Sequence, residues 1–170
     1  KPTTLILGFI LAVAFVSMWM SNTAATVMML PVALAIATTL GEEAQGLKKA
    51  MVLSIPYAAT IGGMATTIGT TTNPTGIGLI ESTIGVSINF LDWLKIGLPF
   101  TIVLLPLMWI YMVKFFKVDK MPPVDISVAR QQYKDLGPMS KGEKYTAIIF
   151  LACCVLWVTR SILWGKYVPF

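Results

Sequence analysis

A long uncharged stretch, residues 4–40, is the feature that most limits how this chain can fold. As one straight helix it would reach roughly 55 Å, at about 1.5 Å per residue. The hydrocarbon core of a membrane is only about 30 Å thick, so a single crossing would leave apolar residues in water. A polar cluster, Ser21-Asn22-Thr23, lies near the middle of the stretch. We therefore predict two apolar arms that meet in a turn at this cluster.

The two predicted arms, residues 5–20 and 24–39, are each short for a full crossing. Residues 1–40 are therefore predicted to form a re-entrant helical hairpin with its tip near mid-membrane. Irregular backbone at that depth survives only in contact with protein or beside a water-filled cavity. The tip is thus a candidate binding site.

Ser, Asn and Thr at the tip are residue types that cap helix N-termini. They would lie beside free backbone N–H groups, where the positive end of the helix dipole suits a carboxylate, phosphate or sulfate. Carbonyls at the end of the preceding arm suit a cation, and secondary transporters hold anion and cation together in this way. The alternative is a polar cluster that only hydrogen-bonds a neighbouring helix.

A second interruption is predicted in the apolar segment 50–80. Residues 61–74 are dense in Gly and Thr, a composition that disfavours a continuous helix. We predict a broken transmembrane helix, with a first half at 50–59, an unwound middle, and a second half beginning at Pro74. The alternative is an interfacial loop between two short helices.

The rest of the chain is predicted to add two transmembrane helices. A polar loop at 41–49 precedes the broken helix, and residues 81–116 form an extracellular-side loop, 81–95, followed by a helix at 97–116. Residues 117–144 form a cytoplasmic linker, because positive charge favours the cytoplasmic side; a short surface helix is predicted around 127–136. Residues 145–170 contain the last helix, at 145–164.

Composition supports a membrane protein and excludes several kinds of chemistry. The chain is 56% hydrophobic and 12% charged, and it contains no His. Without His, no His-based metal site, nucleophile or proton shuttle is available. The net charge of +5 comes mostly from Lys near the predicted spans, so we expect no nucleic-acid partner. We expect the chain to be part of a larger protein, and its first apolar run is not a signal peptide.

The two uncharged interruptions together predict a sodium site. Sodium is a hard cation and should prefer oxygen ligands from hydroxyls, amides and carbonyls, as other hard cations do. Candidate donors are Ser17, Ser21, Asn22, Gly69 and Thr70. Residues 4–41 and 50–80 contain no ionisable group suited to a proton relay. An anion would therefore be held by dipoles, hydroxyls and a bound cation.

Residues 21–31 resemble the Ser-Asn-Thr signature of the divalent anion/sodium symporter family. Residues 56–63 and 69–74 are similar to the broken-helix segment of that family, at the matching spacing. One departure lies in the second motif: Thr72 precedes Asn73 here, where many relatives carry Pro. The resemblance covers the whole chain.

The resemblance implies an elevator-type transporter built from two inverted repeats as a homodimer in the cell membrane. This chain would be part of the first repeat, with residues 145–170 in the scaffold. The implied sodium ligands are Ser17, Ser21, Asn22 and Gly69. The implied substrate contacts are Ser21, Asn22, Thr23 and Thr70. The expected partners are the lipid bilayer, the remaining half of the transporter and a small anion such as succinate, malate, citrate or sulfate.

Two other functions remain open at this point, and a third has no support in the sequence. The same fold could exchange anions without sodium. The chain could be a structural membrane segment whose polar residues only hold helices together. An intramembrane enzyme has no support, because the sequence offers no carboxylate pair in its apolar segments and no Ser with a plausible base.

Overall fold

The computed structural model describes residues 1–121, 135 and 137–159, and this part of the chain contains helices and no strand. Two short 3-10 turns, Glu42–Ala44 and Val118–Lys120, lie between helices. The helices are α1 (Pro2–Ser17), α2 (Asn22–Thr39), α3 (Gln45–Gly63), α4 (Thr72–Ile84), α5 (Phe90–Phe115) and α6 (Lys141–Thr159).

The first uncharged stretch forms two helices in contact with each other, α1 and α2, separated by residues 18–21. Ser21 is the N-cap of α2, and its Oγ accepts a hydrogen bond from the Ala24 backbone N–H at 3.3 Å. The predicted position of the turn, 21–23, was wrong by about three residues. The cause is the cap itself: a capping residue lies directly before the helix, so Asn22 and Thr23 already belong to the first turn of α2.

The second apolar segment is also interrupted, between the end of α3 at Gly63 and the start of α4 at Thr72. Both flanking helices are longer than predicted. Helix α3 begins at Gln45, inside the segment expected to be a polar loop, and α4 continues to Ile84. Pro74 lies in the first turn of α4, where a missing backbone N–H removes no intrahelical hydrogen bond.

Helix α5 begins seven residues earlier than predicted, at Phe90 rather than at residue 97. Asn89 sets this start, because its Oδ1 accepts hydrogen bonds from the backbone N–H groups of Leu91 at 2.9 Å and Asp92 at 3.1 Å. The last helix, α6, begins at Lys141. Residues 160–164 of the predicted helix lie outside the described residues. So does the predicted surface helix at 127–136, apart from Asp135.

Among the described residues, three helices are long and apolar enough to cross a membrane, by length and composition: α2, α5 and α6. Helix α1 is apolar but shorter. Helix α6 has no buried residue in the described part of the chain, so its apolar side chains face outward.

The core lies mainly between α1 and α3, which have the most extensive contact of any helix pair. Helix α1 contributes Ile6 and Ile10, and α3 contributes Leu47, Met51 and Ile55, all fully buried. The α3 residues are spaced four apart, so they lie along one face of the helix. This face fixes the register of α3 against α1.

Towards the end of α1 the two backbones come into direct contact. A Cβ atom added to Gly62 would lie 2.2 Å from the Ala14 carbonyl oxygen and 2.6 Å from its Cα. Small residues allow this close approach between membrane helices. The contact lies one residue before Gly63 and one turn before Ser17, so it brings the ends of α1 and α3 together.

Gly62→Ala is expected to lower the stability of the protein by about 1–3 kcal/mol, because the new methyl group meets backbone that cannot rotate away. Thermal unfolding in detergent measures the effect. The matched control is Gly76→Ala in α4, where nothing lies within 4 Å of the added Cβ. An unfolding midpoint for Gly62→Ala equal to that of the control would contradict the expectation.

Helix α5 packs against the start of α1 and against the second interruption. The Trp109 indole N–H donates to the Thr3 carbonyl at 3.0 Å, near the start of α1. The Thr101 hydroxyl lies 3.1 Å from the Ile61 carbonyl oxygen, near the end of α3. The Trp93 indole N–H donates to the Met64 carbonyl at 3.0 Å, at the start of the second interruption. One helix therefore holds three points of the fold.

Candidate functional site

The two interruptions are in contact with each other. The Thr66 hydroxyl, in the second interruption, donates a hydrogen bond to the carbonyl of Met18, in the first. A Cβ atom added to Gly69 would lie 2.9 Å from the Ser17 carbonyl oxygen. The segment 64–71 therefore packs against the end of α1 and the residue that follows it.

Ser17 and Asn22 form the centre of this contact. The Ser17 side chain is fully buried, and its Oγ lies 2.7 Å from the Ala59 carbonyl oxygen and 3.0 Å from Asn22 Oδ1. A serine hydroxyl has one hydrogen, so it fully satisfies only one of these two acceptors. When the hydrogen faces Ala59, the nearer acceptor, Ser17 Oγ and Asn22 Oδ1 present lone pairs to each other.

Two buried glycines make room for Asn22. A Cβ atom on Gly63 would lie 2.2 Å from Asn22 Oδ1, and a Cβ atom on Gly69 would lie 2.5 Å from the Gly63 carbonyl oxygen. Any side chain at either position would occupy the space that these groups now fill. Gly63 is therefore required by the close approach of Asn22 in α2, and Gly69 by the close approach of the Gly63 and Ser17 backbone.

Asn73, in the first turn of α4, forms hydrogen bonds across the second interruption. Its buried Nδ2 donates to the carbonyls of Gly63 at 2.9 Å and Thr66 at 2.7 Å. The Thr66 hydroxyl accepts a further hydrogen bond from the Gly69 backbone N–H at 3.1 Å. Side-chain hydrogen bonds thus replace the missing helical ones.

The structure brings together three of the residues predicted for the site: Ser17, Asn22 and Gly69. Ser21 and Thr23 are exposed in the first turn of α2, with Ser21 engaged as the cap. Thr70 is half-buried, and its Oγ1 lies 3.3 Å from Thr72 Oγ1.

Four residues outside the predicted set of site residues also take part in this contact. They are Ala59, Gly63, Thr66 and Asn73. A buried amide in a segment without charges was a signal for Asn73. The contact of Ala59 could not be predicted from the sequence, because it is made by a backbone carbonyl.

The electrostatics of the site come from helix ends. Helices α1 and α3 end here with their carbonyls, and α2 and α4 begin here with their N–H groups. Carbonyl ends carry partial negative charge and suit a cation, whereas N-terminal ends suit an anion. Ser, Thr, Asn and Gly do not ionise near neutral pH, so this part of the site carries no net charge.

A family model described as the transmembrane region of sodium:sulfate symporters matches residues 2–165. The chain belongs to this symporter family. The resemblance to divalent anion/sodium symporters, drawn from the motifs at 21–31 and 56–74, is thereby confirmed. Membership in the family, together with the three helices of spanning length, identifies the chain as a multi-pass membrane protein segment.

Two relatives within the symporter family show how far the similarity extends. The sodium-dependent dicarboxylate transporter SdcS of Staphylococcus saprophyticus is 41% identical over 170 residues, which cover 94% of this chain and 33% of the relative. SdcS of Staphylococcus aureus strain USA300 is 37% identical over 178 residues, which cover 98% of this chain and 34% of the relative. The chain spans about a third of the length of these relatives. Both are named as transporters and not as enzymes.

Proposed function

We propose that the chain forms one half of the binding site in a transporter that couples sodium influx to uptake of a small divalent anion. The observation that carries the proposal is the contact between two helix interruptions, where carbonyl ends and N–H ends of four helices meet. The names of the relatives support sodium and a dicarboxylate as the ligands.

Sodium would bind among the oxygens around Ser17. Ser17 Oγ and Asn22 Oδ1 are 3.0 Å apart, a separation at which one small cation can contact both. The Ser17 carbonyl ends α1 and lies beyond its last intrahelical hydrogen bond, so it is available as a further ligand. The backbone of Gly69 lies against the same carbonyl and would form the remaining wall of the cation site.

The anion would bind at the N-terminal ends of α2 and α4. The proposed contacts are Ser21, Asn22, Thr23 and Thr70, which offer hydroxyl, amide and backbone N–H donors. Asn22 has both a carbonyl oxygen and an NH₂ group. It can therefore give its oxygen to sodium and donate to the substrate carboxylate, which couples the two ligands through one side chain.

We propose that α1 and α2 form a re-entrant hairpin and that α3 and α4 are the halves of a broken transmembrane helix. Helix α1 has 16 residues, or about 24 Å at about 1.5 Å per residue, which is short for a full crossing. The second repeat would complete the site, and an elevator motion in a homodimer would carry it across the bilayer. Residues 117–144 would be a cytoplasmic linker, and residues 145–170 part of the scaffold.

Uptake by the full-length protein in liposomes tests the function. We expect accumulation of labelled succinate, malate, citrate or sulfate when external sodium is present, and little when potassium replaces it. Equal uptake in both salts would instead support sodium-independent anion exchange. Neither binding nor uptake of any of the four anions would favour a purely structural role for the polar residues.

A further inference from the structure

Asn73 uses both hydrogens of its side-chain amide within the second interruption. Nδ2 donates to the Gly63 carbonyl at 2.9 Å and to the Thr66 carbonyl at 2.7 Å, and only 7% of the residue is exposed. An NH₂ group has two hydrogens, so no donor is left for a ligand. Nδ2 is a donor and cannot ligate a cation. The Nδ2 end of the side chain therefore has a role within the protein and not in direct binding.

The two residues that Asn73 hydrogen-bonds are in contact with the proposed cation ligands or with their neighbours in the chain. One bond holds Gly63, whose Cα faces Asn22 Oδ1. The other holds Thr66, whose hydroxyl donates to Met18, the residue after Ser17. A displacement of Asn73 would therefore be passed on to both sides of the proposed cation site.

We propose that Asn73 is a positioning residue that sets the sodium affinity of the site. It holds the second interruption so that Gly63 stays beneath Asn22 and Gly69 stays against the Ser17 carbonyl. This inference rests on the proposed function. Groups outside the ligand shell commonly tune metal sites in this way, and their removal typically costs about 10-fold to 100-fold in metal affinity.

Asn73→Asp tests the inference in the full-length transporter. Asp has the same size but places a second oxygen where Nδ2 was, facing the Gly63 and Thr66 carbonyls. We expect the sodium concentration for half-maximal succinate uptake to rise about tenfold or more. We also expect weaker discrimination between sodium and lithium. The maximal rate at saturating sodium should change less than the half-saturating concentration.

Asn89→Asp is the matched control. Asn89 caps α5 through Oδ1, and Asp caps a helix equally well. The control makes the same chemical change outside the proposed site, so its sodium dependence should equal that of the unsubstituted protein. A purely structural role for Asn73 would lower the unfolding temperature equally with and without sodium, and would leave the half-saturating concentration and cation selectivity unchanged.

The outcomes separate the inference from the function on which it rests. If the unsubstituted protein is sodium-dependent and folded Asn73→Asp keeps its half-saturating concentration, the inference is wrong and the function stands. If Asn73→Asp does not fold, Asn73→Gln decides: its longer side chain moves the NH₂ group away from the position that holds Gly63 and Thr66, so an unchanged half-saturating concentration overturns the inference. If uptake by the unsubstituted protein does not depend on sodium, the proposed function fails and the inference fails with it.

Discussion

Asn22→Asp is expected to retain part of the sodium binding of the full-length transporter and to lose dianion binding. Asp keeps an oxygen 3.0 Å from Ser17 Oγ, but it loses the NH₂ donor and adds a negative charge that faces the anion. Repulsion between like charges is strong in a poorly hydrated site. Asn22→Ala should lose both ligands. Loss of a hydrogen bond to a charged group costs about 1.5–3 kcal/mol, or about tenfold to a hundredfold in affinity.

Calorimetric titration of both Asn22 variants with sodium and with succinate measures these effects. Thermal unfolding is the control for folding, and Asn89→Asp is the control for the charge change outside the site. Unchanged succinate affinity in a stably folded Asn22→Ala protein would remove Asn22 from the site.

Gly63→Ala is expected to weaken binding strongly, at a smaller cost in stability than Gly62→Ala. The added Cβ would lie 2.2 Å from Asn22 Oδ1 and 3.1 Å from Asn22 Cγ. A half-buried side-chain amide can rotate away, and the Gly69 carbonyl oxygen, 3.2 Å from the added Cβ, has only to shift slightly. The backbone that opposes a Cβ on Gly62 lies much closer and cannot rotate away. We therefore expect a loss of sodium and succinate affinity of about a hundredfold, comparable to the removal of Asn22.

Three alanine substitutions of glycine in neighbouring segments make this test specific. Gly62→Ala should lower stability, Gly63→Ala should lower affinity, and Gly76→Ala should lower neither. The measurements are the unfolding midpoint and the two affinities for each variant. Sodium affinity of Gly63→Ala equal to that of Gly76→Ala would show that the position of the Asn22 amide does not matter for binding.

Both helix interruptions could be predicted from the sequence because their causes are local. Ser21 is a helix cap, and the segment 61–74 is rich in Gly and Thr, which weaken a helix. The predicted positions of the helix ends were less accurate than the predicted positions of the interruptions. Gln45 and Phe90 start helices earlier than expected, because packing of α3 and capping of α5 by Asn89 extend helix into segments whose composition is polar.

The site was only partly predictable. Ser17 and Asn22 stand out as polar residues in an apolar run, but they are five residues apart, and only the fold of the turn between α1 and α2 brings them together. The partners of Asn73, the Gly63 and Thr66 carbonyls, depend on how the interruption folds back on itself. Backbone acceptors such as the Ala59 carbonyl carry no side-chain signature, so only three-dimensional structure can reveal them.

The single hydrogen of the Ser17 hydroxyl has a consequence for the ion-free state. With no cation present, the hydrogen can turn towards Asn22 Oδ1 and relieve the repulsion between the two oxygens. An entering cation turns it back towards the Ala59 carbonyl by rotation about one side-chain bond. Loading and emptying then differ at this position by rotation about one side-chain torsion angle. In the proposed transporter, the empty site would need no backbone rearrangement at Ser17 to bind the next cation.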